Sequence, residues 1–136
     1  MQPSDSTPKQ KMQAVFAALS LGDGRPFLDL MADDFAWVLP GTTAWSRRYE
    51  GKRAVREELF RPLFAQFEGT YRNVASRFVA EGDIVVVQCR GDVLTKTGVP
   101  YCNDYCYVCR FGPDGLLHEL TEYLDTELVA SALTPP

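Results

Sequence analysis

Residues 81–125 read EGDIVVVQCRGDVLTKTGVPYCNDYCYVCRFGPDGLLHELTEYLD. Three turn signals divide this stretch: Glu81-Gly82-Asp83, Lys96-Thr97-Gly98 and Gly112-Pro113-Asp114-Gly115. Glycine supplies the positive φ that tight hairpins need, and aspartate bonds its own backbone in a turn. Valine, tyrosine and phenylalanine crowd the segments between them, as they do on half-buried pleated surfaces. With the chain from Thr70 onward, the pattern predicts four long strands near 70–80, 84–95, 100–111 and 116–124.

The part before Thr70 has a different period. Met12, Val15, Phe16 and Leu19 recur at i, i+3, i+4, i+7, the stripe of an amphipathic helix. Thr7-Pro8 offers a cap and a first-turn proline, and Gly22-Asp23-Gly24 stops the helix. A short second helix is expected from Pro26 to Met31, a brief strand from Phe35 to Leu39, and a loop from Thr42 to Gly51. A third helix follows, with Val55, Leu59, Leu63 and Phe67 every fourth residue and a kink expected at Pro62. Asp125-Thr126 reads as the cap of a terminal helix over Glu127 to Leu133. Helices followed by a meander of strands predict an α+β fold, with the helices on one face of an antiparallel sheet.

The chain has 136 residues, 46% of them hydrophobic and 24% charged, enough for one domain with a real core. Residues 1–8 are expected to form a disordered lead-in and 9–134 a single domain. Fourteen basic residues face 18 acidic ones, a net charge of -4, and the arginines are scattered. This disfavours nucleic-acid binding, which needs clustered positive charge. No apolar run approaches the roughly 20 residues that span a bilayer, and no membrane role is expected. The polar stretch Met1 to Lys11 does not resemble a signal peptide, so a cytoplasmic location is expected.

Cys102, Cys106 and Cys109 form a C-x3-C-x2-C run that invites a metal. On a strand, however, Cys102 and Cys106 share one face and Cys109 points to the other. The expectation is therefore buried free thiols, with no metal and no cofactor.

Sorting strand residues by face gives the candidate site. Leu116, His118, Leu120, Glu122 and Leu124 share the mostly apolar side of the last strand, and Glu122 stands out on it. A carboxylate on an apolar face is costly, its pKa tends to rise, and it becomes a candidate acid or base. Arg90 and Asp92 lie two apart on the second strand, on a face that begins apolar with Ile84 and Val86. An arginine beside two carboxylates would keep one ionised and let the other hold its proton. The expected catalytic set is thus Glu122 as base, Asp92 as acid and Arg90 between them. A structural ion-pair cluster is the alternative. Tyr101, Asn103, Tyr105 and Tyr107 share a face of the third strand. Asn103 and Tyr105, with Trp37 and Tyr49, form the candidate ligand-contact set. His118 is expected to be structural and Asp125 to cap a helix.

The order of several short motifs resembles the nuclear transport factor 2-like superfamily, and within it the SnoaL-like branch. They are Ala32-Asp33-Asp34-Phe35, Tyr49-Glu50-Gly51-Lys52, Asp114-Gly115 and Glu122-Tyr123-Leu124-Asp125. The resemblance covers nearly the whole chain. It implies a cone-like curved sheet wrapped around N-terminal helices (cystatin-like), an internal pocket for a small-molecule substrate or ligand, and a homodimer through the sheet.

Arg90-Gly91-Asp92 with Glu122 matches the acid pair and arginine of the limonene epoxide hydrolase branch. Trp37 and Leu39 stand where that branch has its water-holding tyrosine and asparagine. The ketosteroid isomerase branch would need acids near Leu39 and Tyr107 and a tyrosine near Phe16, so its mechanism does not transfer. A SnoaL-like cyclase asks for only one acidic base, which Glu122 or Asp92 could supply. The function expected is cofactor-independent acid–base chemistry (cyclase, isomerase or epoxide-hydrolase-like) on a small apolar substrate. A non-catalytic binding or dimerisation module of the same fold is the alternative.

Overall fold

A computed structural model of the chain describes residues 6–136, so the first five residues of the expected lead-in lie outside the described residues. Pro8 already opens helix α1, Pro8–Leu19, and Thr7 caps it. The Thr7 hydroxyl accepts from the Gln10 amide at 3.1 Å, and the Gln10 side chain accepts from the Thr7 amide at 2.9 Å. This reciprocal box satisfies two amides that the first turn would leave bare. Met12, Val15, Phe16 and Leu19 form the buried stripe, as their spacing predicts.

At Gly22 the chain adopts φ +85°, and a Cβ there would lie 2.2 Å from Thr70 Cγ2. Only glycine fits so close an approach. Helix α2, Arg25–Leu30, leads directly into strand β1, Met31–Val38. That strand starts earlier than the sequence suggested. A bulge between Met31 and Ala36 leaves Asp33 and Asp34 exposed, so two aspartates sit in a strand without being buried. Within the expected loop, Arg48–Glu50 forms a three-residue strand, β2, paired antiparallel to β1.

The third helix is continuous but not uniform. It runs as α3, Lys52–Ala54, a π-helical stretch, Val55–Phe60, and α4, Arg61–Phe64. The Arg61 amide reaches back five residues, to the Arg56 carbonyl. Pro62 has no amide to give and its ring crowds the preceding turn, and the helix widens ahead of it.

Strands β3, Phe67–Glu81, β4, Ile84–Thr95, β5, Asp104–Phe111, and β6, Leu117–Leu124, form the expected meander. The six-stranded sheet has the order β2-β1-β6-β5-β4-β3. Neighbours are antiparallel except β1 and β6, which run parallel. Two register shifts in β3 and one near the start of β6 bend the sheet, and it stays unclosed, with β2 and β3 as its edges. Helix α5, Thr126–Ala132, is capped by Asp125, whose carboxylate accepts from the amides of Glu127 and Leu128. The helices pack into the concave side of the sheet, and the core lies between them.

Candidate functional site

A cavity of about 460 Å³ opens between the concave face of the sheet, the end of α1, α4 and α5. Its walls are mostly apolar and aromatic. Volumes of roughly 300–1,000 Å³ are usual for small-molecule sites.

Glu122 sits on the cavity wall and is 8% exposed. From Leu120 onward β6 alternates as the sequence predicts. Before that the register shift makes His118 an extra residue, so Leu117 rather than His118 turns inward. The Trp37 indole N–H donates to Glu122 Oε1 at 2.8 Å. Burial pushes the Glu122 carboxyl up to about 7, and the hydrogen bond from Trp37 opposes part of that rise. A carboxyl poised near neutrality can hold or release a proton at working pH.

Arg90 and Asp92 are not brought to Glu122. On β4 the inward residues are Val85, Val87, Cys89, Gly91 and Val93, and both charged residues point out from the opposite face. Arg90 pairs instead with Asp104 at 2.8 Å, with both side chains more than half exposed. Asp92 accepts a weak contact from the Cys102 thiol at 3.6 Å. The expected trio fails because Ile84 to Val87 is apolar on both sides, so hydrophobicity alone does not say which parity is buried. Cys89 and Gly91, small and uncharged, mark the inner side.

The four candidate ligand contacts divide. Trp37 and Tyr105 line the cavity. Asn103 is 1% exposed, but its amide is engaged: it donates to the Asp125 carbonyl and the Tyr101 hydroxyl and accepts from the Asp125 amide. It clamps the end of β6 to β5 rather than offering a free polar group. Tyr49 does not line the cavity. Its hydroxyl donates to the Trp45 carbonyl at 2.7 Å and the Arg47 guanidinium covers its ring.

Other residues keep structural places. His118 bridges Asp34 at 3.0 Å and Asp114 at 2.9 Å. Cys106 faces outward, Cys109 inward, and Cys102 is half-buried just ahead of the strand. Cys89 and Cys109 are buried, and burial raises both thiols well above their usual range.

The sequence of residues 12–120 matches the SnoaL-like domain. The chain belongs to the SnoaL-like domain family. No curated protein matches it by sequence. Among solved structures it resembles a putative SnoaL-like polyketide cyclase from Jannaschia sp. CCS1, at 17% identity and TM-score 0.76, covering 100% of this chain and 97% of that one. An NTF2-like protein from Burkholderia thailandensis E264 matches at 23% identity and TM-score 0.80, over 96% and 99%. TerC, co-crystallized with polyporic acid, matches at 22% identity and TM-score 0.75, over 93% and 98%.

In this SnoaL-like domain the polar lining beside Glu122 comes from tyrosines and one asparagine. Tyr101, Tyr105 and Tyr107 share one face of β5 and the segment leading into it, as their spacing predicts, and that face is the inward one. Burial raises Tyr105 and Tyr107 well above the usual phenol range and Tyr101 to about 12, so each remains an O–H donor at neutral pH. Tyr71 and Asn73, on β3, were not legible as site residues. Most of β3 is exposed, and Phe67, expected on the third helix, instead opens this strand, so the row was not marked by apolar residues. The available signal was a pair of polar residues two apart, between Phe67 and Ala75 on the same inward row.

Proposed function

We propose that this SnoaL-like domain is a small-molecule pocket protein that carries out acid–base chemistry through Glu122 on a small, mostly apolar substrate. The observation behind this is the buried Glu122 carboxyl on the cavity wall, held by Trp37 and poised near pH 7. With Arg90 and Asp92 on the outer face, the proposal narrows to one carboxyl acting alone. Ionised, it takes a proton from carbon next to a carbonyl; protonated, it returns that proton to another position or to an oxygen. That sequence suits isomerisation or an aldol-type ring closure. The inward tyrosines provide neutral O–H donors for an oxygen on which charge develops. The epoxide-hydrolase scheme, which calls for the arginine and second acid beside Glu122, is not supported by this geometry.

The test is deuterium uptake at the α-carbon of small ring ketones such as 2-tetralone, followed by NMR in D2O. Wild-type protein should accelerate uptake above buffer, with the rate rising through pH 7, and Glu122→Gln should remove the acceleration. No acceleration by wild type, or full retention in Glu122→Gln, sinks the proposal.

A homodimer through the outer sheet face belongs to the same proposal. Val79, Val86, Val108 and Thr121 lie in register across four strands there, and Val74, Val79, Leu94 and Tyr123 are exposed on it. Light scattering of wild type against Val79→Glu would show whether this row holds two copies together. No helix among the described residues is long and apolar enough to cross a membrane; a cytoplasmic location is part of the proposal and is tested by fractionation.

A further inference from the structure

Asn73 is the pocket residue whose hydrogen bonding does not close. It lies on the cavity wall and is 1% exposed. Its Nδ2 donates to the hydroxyls of Tyr71 and Tyr107, each at 3.3 Å. Its Oδ1 is buried and has no partner. Buried acceptors are nearly always satisfied, and one left bare at a pocket wall points to what the pocket receives.

The surroundings hold the amide in that orientation. The Tyr71 hydroxyl gives its own proton to Tyr105 at 3.2 Å, so it receives from Asn73 rather than donating to it. Gly91 lies opposite Asn73 on β4. A Cβ at Gly91 would come within 2.9 Å of the Tyr71 hydroxyl and 3.2 Å of Tyr105 Cε2. A larger residue there would displace Tyr71, one of the two tyrosines that aim the amide.

The rest of the lining limits the ligand. It contains no lysine, arginine or histidine among the described residues, so an anionic group would meet no counter-charge. Trp37, Phe60, Phe64 and Tyr105 offer ring faces and edges instead.

We propose that Asn73 orients the ligand by accepting a hydrogen bond from a hydroxyl on an uncharged, ring-bearing molecule, its amide aimed by Tyr71 and Tyr107. This rests on the small-molecule pocket proposed above and does not depend on proton transfer at Glu122.

Equilibrium dialysis of the full chain against naphthalene, 2-naphthol and 2-methoxynaphthalene tests it. The naphthol should bind about tenfold tighter than the other two, the usual effect of satisfying one buried acceptor. In Asn73→Leu the preference for 2-naphthol over naphthalene should fall to about twofold or less. Should that variant fail to fold, Tyr107→Phe removes one of the two anchors of the amide and should still lower the preference, to about threefold.

Retention of the full preference in the folded variant overturns the proposal. So does 2-methoxynaphthalene binding as tightly as 2-naphthol, which would make the subsite a donor, or the binding of none of the three. Glu122→Leu, which leaves no acceptor at that position, separates the two claims. If it alone abolishes the naphthol preference, the hydroxyl belongs to Glu122 and the Asn73 assignment is wrong while the acid–base proposal stands. If ketone exchange fails but the preference for naphthol survives in wild type, the reverse holds.

Discussion

Trp37 and Glu122 are joined across the parallel pair β1 and β6 by a 2.8 Å hydrogen bond from the indole N–H to the carboxylate. Strands far apart in the chain thus meet at the pocket wall, and the bond favours the ionised form of an otherwise disfavoured charge. Trp37→Phe should therefore move the Glu122 midpoint above about 7, because only burial then acts on it. The same change should lower stability by about 2 kcal/mol through lost packing and hydrogen bonding. A pH titration and a denaturant melt of the variant check both.

Stability should depend on pH in a sign set by Glu122. Its value rises from 4.5 to about 7 on folding, so between those values the native state holds more protons than the unfolded chain. The contribution of Glu122 to stability is therefore greatest below about pH 4.5 and is lost as pH rises through about 7. The full loss is roughly 3 kcal/mol. Glu122→Gln carries no charge to bury and should be the more stable protein at pH 8, with the gap closing near pH 5. Urea unfolding at the two pH values measures it.

Asn103 should matter to the fold more than to the ligand. Its amide makes two hydrogen bonds to the backbone of Asp125, the residue that caps α5. Asn103→Ala leaves those backbone groups without partners and should cost about 2–3 kcal/mol. The part of the cavity wall that α5 supplies through Val129 should loosen with it. Thermal melting and hydrogen exchange in residues 125–133 would show this.

Arg90→Ala and Asp92→Asn should leave melting temperature and ketone exchange at wild-type values. Both side chains are exposed on the outer face, and such pairs contribute little. Loss of exchange in either variant would mean that the outer face communicates with the pocket.

Much of this architecture could be read from the turns alone. The three glycine-bearing turns and the helical stripe of Met12 to Leu19 act locally, and local signals survive in a sequence. The inward placement of Glu122 followed from simple alternation over Leu120 to Leu124, where β6 is regular. Arg90 and Asp92 were misplaced because Ile84 to Val87 is apolar on both faces, so the parity of β4 is decided by which side meets the helices. Tyr71 and Asn73 escaped notice because β3 is mostly exposed and Phe67, which opens it, is expected on the preceding helix, so few apolar side chains mark its inner face. Their meeting with Tyr105 and Tyr107 depends on the curl of the whole sheet. The partner of Glu122 was hidden for a similar reason: the parallel union of β1 and β6 links segments some 85 positions apart.

The central claim is that Glu122 is a buried carboxyl exchanging its proton near neutral pH. The most direct measurement is the 15N–1H resonance of the Trp37 indole followed from pH 4 to 9, with Glu122→Gln as control. The account predicts a single titration centred near pH 7 in the wild type and none in the variant. A midpoint near 4.5, the ordinary value for a glutamate, would contradict it, as would the same titration persisting in Glu122→Gln.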